Sequence, residues 1–164
     1  CLFAGLMGTG RVLYGILGHR IPLLPALIFS GSFASLCYLV AVFSSSPIFA
    51  LVGCASCGLA VSLLWPGTFS DTAARFPTGG VAMFGTLAVF GDGGAAIGPW
   101  MAGAFADASL KGDGMIARIA QMLPDDGGSG LRIGLLAGMI FPLLIVSTAL
   151  WLRGATRKAA EQQK

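Results

Sequence analysis

The sequence predicts an all-α membrane protein, a polytopic helical bundle, from three observations: too few charges for a water-facing surface, long charge-free stretches, and cations sorted unevenly among the connecting segments. Of 164 residues, 55% are hydrophobic and 10% charged, with a mean hydropathy of +0.84. A soluble domain carries about 25% charged residues. Charges this sparse cannot keep a folded surface in water, so the solvent the chain suits is lipid. From residue 21 to residue 70 there is no Asp, Glu, Lys, Arg or His.

Taken in order, residues 1–10 are apolar but only half as long as a span requires. They open on Cys1 with no initiator Met and no basic segment, unlike a signal peptide. They read as the end of a transmembrane helix that begins upstream, and the chain as a C-terminal fragment. Residues 11–20, carrying Arg11, His19 and Arg20, are expected to form a loop. The turn composition Ser44-Ser45-Ser46-Pro47 divides the uncharged run into spans 21–43 and 48–70. At about 1.5 Å per residue each reaches roughly 34 Å, enough for a hydrocarbon core of about 30 Å. A third span, 76–106, contains a single charge, Asp92, and a fourth, 133–152, contains none. Between them lies a polar loop, 107–132, in which residues 115–123 suit a short interfacial helix ended by Pro124.

Alternating sides gathers Arg11, Arg20, Arg75, Arg153, Arg157, Lys158 and Lys164 on one face and leaves Lys111, Arg118 and Arg132 on the other. Lys and Arg concentrate in cytoplasmic loops. The first face is therefore expected to be cytoplasmic, together with the tail 153–164. Small faces at Gly94-x-x-x-Gly98 and Gly134-x-x-x-Gly138 suit close helix packing. Pro66, Pro99 and Pro142 lie inside spans, where each removes a backbone hydrogen bond that neighbouring helices must cover.

Asp92 is the sharpest candidate for chemistry. Near the middle of its span, in Phe90-Gly91-Asp92-Gly93-Gly94, it sits close to the expected bilayer midplane. A carboxylate there costs a few kcal/mol unless it meets a cavity or partner, and such acids mark substrate or proton routes. Two other readings stand beside this one: a hydrogen bond to a neighbouring Ser or Thr, or a helix break at the glycines. Asp71, Arg75 and Asp107 sit at span ends as caps or anchors. Trp65, Trp100 and Trp151 read as interface aromatics, with Trp65 beside Pro66 also placed to line a pathway.

The remaining signals are weak. Cys54-x-x-Cys57 lies in an uncharged span with no His or acid near it, and buried apolar cysteine is the expectation there. One histidine, His19, gives no metal cluster or catalytic triad, and Gly8-Thr9-Gly10 lacks the context of a phosphate loop. Neither enzyme activity, a metal, a cofactor nor a nucleic-acid partner is expected.

The segment Gly10-Arg11-Val12-Leu13-Tyr14-Gly15-Ile16-Leu17-Gly18-His19-Arg20 resembles the cytoplasmic loop motif of the major facilitator superfamily, G-x-L-x-D-R-x-G-R-R. Gly15, Leu17 and Arg20 match, and Arg11 is typical of that loop. His19 stands where Asp is usual, and Ile21-Pro22 replaces the trailing G-R-R. Trp65-Pro66-Gly67-Thr68-Phe69-Ser70, and the run from Gly93-Gly94 through Gly98-Pro99 to Ala106-Asp107-Ala108, are similar to the sugar–proton symporter branch that includes fucose permeases.

The resemblance implies part of the C-terminal six-helix half of a major facilitator fold, from the end of its helix eight through helix twelve. It implies a bacterial inner membrane and a secondary transporter of a small polar solute, a sugar with proton symport. The partners implied are the lipid bilayer, the missing N-terminal half of the same chain, the solute and a proton. Asp92, Trp65 and Phe69 then border the substrate or proton pathway, while Arg11, Gly15, His19 and Arg20 form the cytoplasmic loop motif. A small non-transporting membrane subunit or scaffold, packing through its Gly-rich faces, is the competing expectation.

Overall fold

A computed structural model describes residues 1–17, 21–111, 114–124 and 128–162. It shows an all-α bundle of eight helices among those residues: α1 Leu2–Leu17, α2 Leu23–Phe43, α3 Pro47–Val61, α4 Leu64–Arg75, α5 Gly80–Leu110, α6 Met115–Gln121, α7 Ser129–Gly138 and α8 Ile140–Gln162. Four helical segments are long and apolar enough to cross a membrane: Leu23–Phe43, Pro47–Arg75, Gly80–Leu110 and Ser129–Thr156. The chain is a multi-pass integral membrane protein.

Two of the four segments are broken, each just before a proline. Pro66 has no N–H to give the Ser62 carbonyl, and its ring crowds the preceding turn. The ladder accordingly tightens at Ser62, whose N–H reaches Leu59 O at 3.3 Å, and resumes where Gly67 N–H meets Leu63 O at 2.7 Å. Pro142 likewise leaves the Gly138 carbonyl without its helical donor, and the interruption falls at Met139. Pro99 does not interrupt α5.

α2 is the centre of the bundle and packs against α3, α8, α4 and α7, while α1 lies on α3 and α5 lies on α7. These crossings are close because glycine sits at them. A Cβ on Gly31 of α2 would come within 2.7 Å of Val146 in α8. One on Gly134 of α7 would come within 2.7 Å of the Ala102 carbonyl in α5, and one on Gly58 of α3 would collide with the Phe3 carbonyl of α1. With no hydrophobic drive between helices in lipid, such backbone approaches supply much of the packing energy.

Of the two small faces expected, only one is used among the described residues. Gly134 packs on α5 and Gly138 touches Tyr38, whereas Gly94 meets open space and Gly98 reaches only a ring atom of Phe141 at 4.0 Å. α5 has no buried residue along its 31 residues.

Other boundaries also shift. α1 continues through Arg11 to Leu17, so residues 11–17, expected as loop, are helical. Apolar Val12, Leu13, Tyr14 and Ile16 carry the helix past Arg11 and Gly15, and one Arg does not stop a helix. The loop expected over 107–132 is shorter, because α5 runs to Leu110 and α7 starts at Ser129. Within it α6 forms as a seven-residue helix at Met115–Gln121.

Candidate functional site

Asp92 lies on an unbroken helix. α5 runs through Gly91-Asp92-Gly93-Gly94 without interruption, which overturns the helix-break reading. Flanking turns rich in Ala, Val and Phe keep the ladder formed, and lipid offers the freed backbone groups no alternative partner. The Asp92 side chain is exposed on the surface of the chain. Among the described residues no hydroxyl or cation reaches it.

At 100° per residue, Gly85, Ala88, Ala96, Pro99 and Gly103 fall on the same side of α5 as Asp92. All but Ala88 are exposed, and the space over Gly85 and Gly103 is empty. The acid therefore stands near mid-helix on a smooth face of small residues. A bulky neighbour at these positions would hold any second helix away from it.

Trp65 and Phe69 come from α4, just beyond the break that Pro66 creates. Their rings meet at 4.8 Å and 59°, and Phe69 stacks on Phe84 of α5 at 5.7 Å and 11°. The Trp65 indole lies against the backbone of Gly91, where any Cβ would collide with it. The two aromatic candidates are thus joined to the helix that carries Asp92, and the indole touches the residue next to the acid. Trp65 remains 45% exposed, so one part of the ring is free.

Three hydroxyls of this region donate to their own helices, while that of Ser70, exposed on α4, makes no hydrogen bond among the described residues. Thr68 donates to Leu64 O at 2.6 Å, Thr72 to Thr68 O at 2.8 Å and Thr86 to Ala82 O at 2.9 Å. Asp71 pairs with Arg75 one turn later at 2.7 Å, a local pair at the end of the span.

The loop-motif residues are not gathered at this site. Arg11 is exposed on α1, Gly15 has open space around it, and His19 and Arg20 lie outside the described residues. Comparison with protein-family models, with characterised proteins and with solved structures gave no match. The site rests on its own geometry.

Arg132 is the residue that sequence reasoning placed wrongly. Expected as a cation of the outer loop, it is 7% exposed in the first turns of α7. Its guanidinium donates to Val42 O at 2.7 Å and Ser44 O at 2.9 Å, across about ninety residues of chain. Those carbonyls sit at the C-terminal end of α2, where orphan acceptors and the negative end of the helix dipole favour a cation. Val42, Ala120, Leu123 and Ile133 form an apolar cluster alongside. A lone charge flanking apolar residues would have been the only hint.

The cysteines do not form a metal site: among the described residues no set of three potential ligands is placed to hold an ion. Cys37 is buried, Cys57 half-buried and Cys54 exposed, which corrects the expectation of a buried Cys54. A cavity of about 700 Å³ opens between α1, α2 and α3, with Tyr14, Phe29, Phe33 and Ser62 in its walls. It contains no residue of α4 or α5 and stands apart from Asp92.

Proposed function

We propose that this chain forms part of a secondary active transporter that moves a small polar solute across the membrane by alternating access. The observation that carries this reading is a mid-helix acid on the open face of a span, next to an aromatic pair on a broken span. Discontinuous helices and membrane-depth acids are the parts from which transporters build solute and ion sites. In this reading the open face of α5 borders the solute path, Asp92 carries a coupling proton, and Trp65 and Phe69 line the path. The resemblance to the major facilitator superfamily supplies the missing N-terminal half as the partner of that face. It also supplies a sugar as solute and a bacterial inner membrane as location, while cation bias puts the C-terminus in the cytoplasm.

The test is Asp92→Asn in the protein produced from its whole reading frame and reconstituted in vesicles. Proton-driven uptake is expected to fall by at least tenfold. Unchanged driven uptake would remove the coupling role from Asp92. The competing reading is a non-transporting scaffold, favoured by the same Gly- and Ala-lined face of α5. It predicts no uptake by the wild type and stable capture of a partner helix.

A further inference from the structure

We propose that the α4–α5 surface around Asp92 binds a monovalent organic cation bearing aromatic or alkyl groups, with Asp92 as counter-ion and Trp65 as the ring it rests on. The inference rests on the reading of α4 and α5 as bordering a solute path, and it changes the class of solute. It starts from which groups are present there. The span that carries Asp92 has no other ionisable residue between 76 and 106. Beside the acid's neighbour Gly91 lies the Trp65 indole, part of its surface open, and from it the aromatic series runs through Phe69 to Phe84, about two turns along α5.

A sugar needs several directional donors and acceptors, because each of its hydroxyls loses water on binding and an unpaired one is costly. This chain offers few. It has no Asn, and its Gln residues, 121, 162 and 163, all fall outside the α4–α5 region. The hydroxyls of Thr68, Thr72 and Thr86 already donate to backbone carbonyls of their own helices, which leaves Ser70 as the one uncommitted hydroxyl on α4.

An organic ammonium or phosphonium asks for different chemistry. One carboxylate satisfies its charge, and the electron-rich face of an indole attracts a cation within about 6 Å of the ring, Trp being the strongest of the aromatics. Its carbon groups need apolar contact, which Phe69, Phe84 and the Ala-lined face of α5 supply. Small residues around Asp92 leave room for a bulky head group that Leu or Phe at Gly85 or Ala96 would exclude. The combination of one acid, exposed indole and neighbouring phenyl rings is complementary to a cation and poor for a polyol.

The experiment uses the whole protein in lipid nanodiscs, in a background where Trp65 is the sole tryptophan, so that its fluorescence reports on the site. Tetraphenylphosphonium serves as the cation probe and a neutral hexose as the comparison. Saturable quenching by the cation is expected, with Kd raised at least tenfold by Asp92→Asn and less than threefold by Asp92→Glu. Asp107→Asn, at the far end of α5, should leave Kd unchanged and controls for partitioning into lipid.

Equal affinity in the wild type and Asp92→Asn would overturn the proposal, as would saturable quenching by the hexose without a response to the cation. The transporter reading fails separately. Asp92-dependent cation binding without driven uptake in vesicles upholds the site and removes transport. Driven hexose uptake with no cation binding does the reverse.

Discussion

Replacing Arg132 with alanine is expected to destabilise the folded chain by about 3–5 kcal/mol, the range for breaking a buried charged contact by removing one partner. A hydrogen bond to a charged group contributes about 1.5–3 kcal/mol, and Arg132 donates to both Val42 O and Ser44 O. Truncation also leaves those carbonyls facing an apolar cluster with no replacement donor and opens space beside Ile133. Lysine should recover only part of the loss. An ammonium is a compact, strongly hydrated charge, whereas the guanidinium is planar, delocalised and more weakly hydrated, and so easier to bury. In detergent micelles, Tm should fall by roughly 10 °C for alanine, at about 2–4 °C per kcal/mol for a chain of this size. A fall of under 2 °C would mean that the guanidinium is solvated and that α7 does not depend on it for its position against α2.

Arg132 also shows where reading the sequence stops. Charge-free length located all four spans, because the hydrocarbon core admits few ionised groups and the chain must cross it helically. The short helix at Met115–Gln121 was legible too, since Pro124 ends what Met115 begins. The helices run past the charges that mark a span end in the sequence. Asp71 and Arg75 stay within α4 because they neutralise each other at i, i+4, and Arg132 stays within α7 because two carbonyls far along the chain receive it. A linear pattern has no access to either partner's position.

The candidate site divides in the same way. That Asp92 stands on a long apolar helix follows from sequence alone, as does the aromatic character of α4. What sequence withheld is the contact between them. Trp65 reaches α5 because Pro66 breaks the helix there and because Gly91 presents bare backbone to the indole. Neither fact is visible without the fold. Gly-x-x-x-Gly patterns had the same weakness: they identify surfaces that can pack closely and leave open which of them do.

Glycine usage therefore yields the sharpest contrast to measure, between Gly58 and Gly103. Gly58→Leu places a side chain where the Phe3 carbonyl of α1 already stands. Backbone cannot turn aside as a flexible side chain can, so α1 and α3 must separate along their whole crossing. Overpacking a filled interior costs about 1–3 kcal/mol, and loss of the crossing takes the total beyond 3 kcal/mol on the same order-of-magnitude scale. The expected result is a large drop in Tm or loss of monodisperse protein, with Gly58→Ala intermediate. A Cβ at Gly103 would meet no heavy atom within 4 Å, so Gly103→Leu should not destabilise residues 1–164 by more than about 0.5 kcal/mol, the usual limit for a surface substitution. Gly103 lies on the Asp92 side of α5, three helical turns along, so in the whole protein any helix covering that face would be pushed away by leucine. A variant with unchanged Tm as the isolated chain but lost uptake as the whole protein would place the partner on the Asp92 face. Full uptake by Gly103→Leu would show that nothing packs there and would turn the open side of α5 towards lipid.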